Sequence, residues 1–323
     1  MIHARRLAAL TACLAVAGSS VPLPAVAQEN GPAAACGPAA PDAPFCRTVA
    51  QGVEALLPAL VMAAAGGNPV PGTASTLGMR LTSMPRWSLG GRNTLVWASA
   101  PNLRERGGGS TLSVVPLTFA VDGSVGVLPG WNPLPTVGGV ASLDILFGAA
   151  LVPLISTDEY SGTGGWSWAA GARLGLLRES FTLPGISVSA MYRQLRGASL
   201  GDKELSTTDS HIAGDLGVFS VRAAASKAIL LLNLTGGVGY DLVYGDVDLA
   251  YDSGFGAVRV TADGARMERL TVFADASYTL MVLNFVLGAG WQEAPPAVQG
   301  TVEGDAYSPS GTFYATAALR LSI

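Results

Sequence analysis

Apolar and polar positions alternate with period two over most of this chain, and the runs are long. In the stretch 140–151, Ala141, Leu143, Ile145, Phe147 and Ala149 alternate with Ser142, Asp144, Leu146 and Gly148. In 165–177, Trp166, Trp168, Ala170, Ala172, Leu174 and Leu176 alternate with Ser167, Gly171, Arg173 and Gly175. The stretches 228–243, 267–279 and 281–292 repeat the pattern, and 311–323 sets Phe313, Ala315, Ala317, Leu319, Leu321 and Ile323 against Tyr314, Thr316, Arg320 and Ser322. Successive side chains of a strand point to opposite faces, so each stretch predicts a strand with one apolar face and one small or polar face. Soluble strands average about 5–6 residues, and a strand twice that long reaches across a tilted bilayer path. Further strands are predicted at 77–84, 91–99, 111–119, 122–128, 186–197 and 211–223. Asp122-Gly123 reads as a hairpin turn, and Pro116 weakens the strand that holds it. The expected total is twelve, with ten or fourteen as alternatives.

Before the first strand the period changes. Val49, Val53, Leu56, Leu57, Leu60 and Val61 recur at helical spacing, Thr48 with Gln51 forms a capping-box pattern, and Gly66-Gly67 with Pro69 and Pro71 stop the helix. Pro58 is expected to kink or split it. The apolar stripe needs a cover. Packing against the periplasmic base of a barrel is the first expectation, and a plug inside the lumen is the second.

Connection lengths alternate too. The turns at 224–227 and near Leu280 are tight, whereas 154–164, 198–210, 244–266 and 293–311 are long, polar or rich in Gly and Pro. Alternating short and long connections are what an up-and-down barrel with periplasmic turns and outer loops requires. Tyr160, Trp166, Trp168, Tyr240, Tyr244, Trp291 and Tyr307 cluster at the expected outer ends, where amphipathic rings suit a headgroup layer.

Composition favours a membrane barrel over a soluble sandwich. Charged residues make up 13% of the 323 residues, about half the soluble norm, while mean hydropathy is +0.40. The mature chain has no uninterrupted apolar run of about 18 residues, as a spanning helix would need. At the N-terminus, Arg5-Arg6, the apolar Leu7 to Val16 and Ala25-Val26-Ala27 predict a cleaved signal peptide over 1–27. The Leu10-Thr11-Ala12-Cys13 lipobox pattern leaves too short an apolar region. The expected division is therefore 1–27 signal peptide, 28–72 leader and helix, and 73–323 barrel. Cys36 and Cys46, the cysteines left after cleavage, predict a local disulfide in an exported chain, with two free thiols as the alternative.

Charge placement gives the candidate site. Asp144, Arg173, Asp241, Arg269, Asp275 and Arg320, with Asn284, fall on the non-lipid faces of their strands. A charge on the lipid side near the midplane costs about 2–4 kcal/mol, so these residues are expected to face the lumen and to pair there. The net charge of −4, with no basic run, gives no reason to expect a nucleic-acid partner. Asp209, Ser210 and His211 are adjacent rather than arranged as a triad, and no catalytic role is assigned. Asp246, Asp248 and Asp252 have calcium-like spacing without the distal glutamate of an EF-hand loop, so no metal or other cofactor is expected.

The whole mature sequence resembles Gram-negative outer-membrane β-barrel proteins, and TFYATAALRLSI at the end resembles their assembly signal, with Ile323 where an aromatic is usual. The resemblance implies outer-membrane lipid, lipopolysaccharide and the barrel-assembly machinery as partners. A helical segment ahead of a barrel of this size is also similar to the FadL-like hydrophobic-compound transporters, in which an N-terminal hatch occupies the lumen. The function expected is a passive channel or transporter for a small or hydrophobic solute. The alternative is a closed structural or surface-binding barrel.

Overall fold

The computed structural model describes residues 36, 43–77, 86–101, 111–132, 138–156, 161–201, 210–252, 256–294 and 311–322. The signal peptide, most of the leader, nearly all of the expected strand 77–84, and Tyr160, Tyr307 and Ile323 lie outside these residues. Among the described residues one helix, α1 (Ala43–Ala65), precedes eleven strands: β1 (Trp87–Pro101), β2 (Thr111–Val114), β3 (Leu117–Leu128), β4 (Ser142–Ser156), β5 (Ser161–Leu177), β6 (Gly185–Gly201), β7 (Ser210–Ile229), β8 (Leu232–Asp252), β9 (Ala257–Leu280), β10 (Leu283–Gln292) and β11 (Thr312–Ser322).

From β3 to β11 each strand pairs antiparallel with the next, β2 and β3 both pair with β1, and β11 pairs back onto β1, from Ser88 opposite Ser322 to Trp97 opposite Phe313. The result is an all-β antiparallel closed barrel of ten staves. The short β2 and an isolated bridge between Trp131 and Val140 lie outside the ring. This corrects the expected count of twelve in one instructive place. Asp122-Gly123 is no turn but the middle of β3, opposite Gly90 and Leu89 of β1. The Pro116 region separates β2 from β3, and the Pro116 carbonyl still accepts the Val96 N–H at 3.1 Å, so both strands continue one line along β1.

At one end of the barrel two-residue turns join β7 to β8 and β9 to β10. Leu230 and Met281 head them with φ of 59° and 56°, a left-handed conformation usually given to Gly or Asn. The β7–β8 turn therefore lies at Leu230-Leu231, not at 224–227. Opposite this turn end, β7, β8 and β9 run on for 20, 21 and 24 residues, so most of the expected 244–266 loop is a paired hairpin.

The outer surface changes character along β8. Leu232, Leu234, Val238, Tyr240 and Tyr244 are exposed, and Asp246 and Asp248 follow them on the same face. The inward residues change in the opposite sense, from Thr235 and Asp241 to Val243, Val247, Leu249 and Tyr251. The transition carries an aromatic girdle, in which the Trp168 and Tyr192 rings lie 5.6 Å apart and Tyr192 and Tyr244 6.4 Å apart. Below the girdle the wall is apolar outside and polar inside; above it the arrangement is reversed.

Helix α1 lies inside the barrel and touches β1, β3, β4, β7, β8 and β11. Every residue from Val49 to Ala64 is buried, so the helix is covered on all sides, as an almost wholly apolar helix must be. The first expectation, a cover on the periplasmic base, is corrected by this packing. Pro44–Ala65 is long and apolar enough to cross a membrane, but barrel wall surrounds it instead. Pro58 does not split it. Thr48 is no cap either, since its hydroxyl donates to the Pro44 carbonyl one turn back.

Candidate functional site

The lumen holds the helix and the chain that follows it, and three contacts fix their direction. The Phe45 ring packs edge-on against Tyr251 near the loop end of β8, at 5.6 Å. Gly66 lies beside Thr94 and Tyr314 at mid-height. The Thr76 hydroxyl meets that of Ser142, the first residue of β4 at the turn end, at 2.5 Å. From Phe45 to Thr76 the chain thus descends the whole lumen. The Cys36–Cys46 disulfide ties down the loop-end start of the helix.

The upper lumen is apolar. Val53, Leu56, Leu57 and Leu60 pack with Leu195, Ile212, Leu216, Val243, Val247 and Met267 in one buried cluster. A helix satisfies its own backbone hydrogen bonds, so it asks nothing polar of the wall around it.

The lower lumen is built differently because residues 66–77 form neither helix nor strand. Their backbone groups are buried, and each one left unpaired would cost about 1–3 kcal/mol. The wall supplies the partners. Arg320 Nη1 donates to the Pro71 carbonyl at 2.6 Å, and the Gly72 N–H donates to Asp275 Oδ2 at 3.3 Å. Asn233 Nδ2 and Ser277 Oγ both donate to the Gly72 carbonyl at 3.1 Å. Arg173 Nη1 donates to the Thr73 carbonyl at 3.3 Å, the Ala74 N–H to Ser226 Oγ at 3.0 Å, and the Leu77 N–H to Asp144 at 3.0 Å.

Ion pairs hold these groups in place. Arg173 and Asp144 meet at 2.7 Å and are almost completely buried. Arg222 grips both oxygens of Asp241 at 2.7 and 2.8 Å, and Ser220, Thr271 and Gln292 donate to the same carboxylate. Arg92 pairs with Asp122 at 3.0 Å and reaches up to the Ala64 and Gly66 carbonyls at the end of the helix. A cation at a helix C-terminus meets both its open carbonyls and the negative pole of its dipole.

The seven residues singled out from the sequence are thus all in the wall below the girdle, facing inward, but they do not form one set. Asp144 and Arg173 pair. Asp241 faces Arg269 across the ladder yet binds Arg222, while Arg269 donates to the Glu268 carbonyl and feels Glu54 of the helix. Asp275 and Arg320 serve the chain at residues 71–72, and Asn284 accepts from the Thr279 hydroxyl at 2.7 Å. Arg92, Asp122, Arg193 and Arg222 belong to the site and were not selected from the sequence. For Arg92, alternation with the outward Asn93, Leu95 and Trp97 was the signal available.

Elsewhere, Ser210 and His211 are the first two residues of β7, and Asp209 lies outside the described residues. Asp246 accepts from the Gly264 N–H at 2.9 Å, and Asp248 accepts from the Thr261 hydroxyl at 2.8 Å. Among the described residues no three His, Cys, Asp or Glu side chains converge as a metal site. Two cavities lined by lumen residues hold about 10 Å³ each. A much larger depression of about 790 Å³ is lined mostly by exposed residues of the outer wall, including Phe119, Phe285, Leu287 and Leu319.

No family model matches the chain, and no curated protein matches it. Among solved structures it is similar to the outer-membrane protease OmpT of Escherichia coli, at 12% identity over 78% of this chain and 100% of that one, with a TM-score of 0.42. The translocator domain of the autotransporter NalP from Neisseria meningitidis is similar at 10% identity, over 82% and 93% of the two chains, with a TM-score of 0.42. The Pseudomonas putida toluene transporter TodX is similar at 10% identity, over 79% and 96%, with a TM-score of 0.34. No residue role is carried over from these proteins.

Proposed function

We propose that this chain is an outer-membrane β-barrel of a Gram-negative-type bacterium, sealed by its own N-terminal helix and working through its water-facing rim as a surface-binding or structural barrel. The membrane reading rests on the reversal at the girdle: apolar residues face out where hydrocarbon would lie, and charged residues face out beyond it. By this reading the apolar belt meets outer-membrane lipid, and the long strands β7 to β9 stand clear of the bilayer, stiffened from within by the helix.

The observation that carries the sealed reading is the burial of α1 from Val49 to Ala64 against the surrounding wall. A channel or transporter for a small or hydrophobic solute would need α1 or the chain at 66–77 to leave its place. Reconstitution of the full chain in liposomes tests the choice. The sealed barrel leaves an entrapped dye and small sugars inside, whereas a variant lacking residues 43–65 leaks both. Leakage from the full chain would establish the channel instead.

A further inference from the structure

We infer that the lumen contains a site for a single halide-sized anion, chloride in the cell, enclosed between the end of α1 and Arg193. The inference rests on the plugged interior and not on the membrane reading.

Charge accounting leads to it. Among the described residues six arginines and five carboxylates are buried. Arg92 takes Asp122, Arg173 takes Asp144 and Arg222 takes Asp241. Arg320 feels Asp275 and Arg269 feels Glu54. Arg193 is left over. It is 3% exposed, and its one hydrogen bond runs from Nη1 to the Ser167 hydroxyl at 3.2 Å. The carboxylates that attract it, Asp122 and Asp241, are already held by other arginines. A buried guanidinium without its own counter-charge costs several kcal/mol, which a water dipole offsets only in part.

Geometry puts a cavity beside it. Arg92, Arg193 and Arg222 line one enclosed cavity with Ser220, Gly67 and Met191. Arg222 Nε has no hydrogen-bond partner. The cavity measures about 10 Å³, about the space of one water, and chloride, somewhat larger, fits once the flexible Met191 and arginine side chains give slightly. Two of the three arginines are neutralised, so a monovalent anion balances the third, and the attraction is strong because all three are buried. Sulfate, phosphate and organic carboxylates are too large. The anion would join Arg193 on the wall to the Arg92 cluster that grips the helix end, adding to the hold on the plug.

Crystals of the full chain grown in sodium bromide, with data collected at the bromine edge, are expected to show an anomalous peak in this cavity. In detergent, the unfolding midpoint of the full chain is expected to be about 2–4 °C higher in sodium chloride than in sodium gluconate at equal ionic strength. Arg193→Met should lose that difference. Absence of the bromide peak overturns the proposal, and so does a chloride effect as large in Arg193→Met as in the unmodified chain. Should Arg193→Met fail to fold, the peak in the unmodified chain decides alone.

Discussion

The upper and lower halves of the lumen hold the same continuous piece of chain by opposite means. Above, a helix with its backbone bonds closed meets an apolar wall at Leu195, Leu216 and Val247. Below, residues 66–77 bring open backbone groups into the interior, and the wall answers with Arg173, Asp144, Asp275, Arg320 and Ser226. The difference explains why a barrel should carry so many buried charges without an open path between them. Five of them, Arg92, Asp144, Arg173, Asp275 and Arg320, bond the plug's own carbonyls and N–H groups, and the ion pairs at Arg92 and Arg173 keep those side chains aimed.

The comparison breaks most sharply at Asp144. Asp144→Leu leaves Arg173 buried without its counter-charge and the Leu77 N–H without an acceptor, which should cost about 3–5 kcal/mol. Adding Arg173→Leu should recover most of that loss, leaving about 1–2 kcal/mol for the unpaired Leu77 N–H, while the Thr73 carbonyl keeps its bond from Asn68 Nδ2 at 2.8 Å. Equilibrium urea unfolding of both variants in detergent checks this, and a double variant no more stable than the single one would refute the account of the lower half.

The upper half should respond to volume rather than charge. Leu57→Ala removes a side chain that is 1% exposed in the apolar cluster, and a loss of about 2–5 kcal/mol is expected from burial and cavity terms together. Leu57→Met, close in volume, should cost less than about 1.5 kcal/mol. The same unfolding measurement distinguishes them, and equal losses for the two variants would mean that packing does not hold the helix.

What the sequence revealed and what it hid follow the same division. Asp144, Arg173 and Asp275 were legible as inward because their neighbours alternate cleanly and only one face can carry a charge beside hydrocarbon. Arg193 and Arg222 were not, because β6 and β7 also turn Met191, Leu195, Leu216 and Val218 inward, against the helix, and this blurs the alternation. The rim was misread as a loop for a related reason. Above the girdle the polar face is the outer one, so Asp246 and Asp248 looked like loop acids rather than the wet side of β8. Asp122-Gly123 has the composition of a turn, whereas the real turn at Leu230-Leu231 has none of it. No periodicity could place α1, since a helical stripe states that it needs a cover without saying which one.

The disulfide tests how far the helix depends on its anchor at the loop end. Cys36 and Cys46 are ten residues apart, and closing so short a loop is worth at most about 3 kcal/mol. Replacing both by Ser should lower stability by less than that, with hydrogen exchange rising first at Phe45 to Ala50 and not at residues 66–77. Equal loss of protection in both stretches would show that the two halves release the chain as one unit.

The smallest effect should come from an ion pair as close as those inside but placed on the outer face. Arg266 and Glu268 meet at 2.7 Å, with side chains 59% and 41% exposed, whereas Arg173 and Asp144 meet at the same distance with almost no exposure. Water and headgroups can replace either outer partner, so Arg266→Ala should cost less than about 1 kcal/mol, a small fraction of the loss at Asp144. Raising the salt concentration should shrink even that, because exposed charges are screened and buried ones scarcely are. A loss at Arg266 comparable to that at Asp144, measured in the same urea series, would mean that the distance between the charges matters here and the medium around them does not.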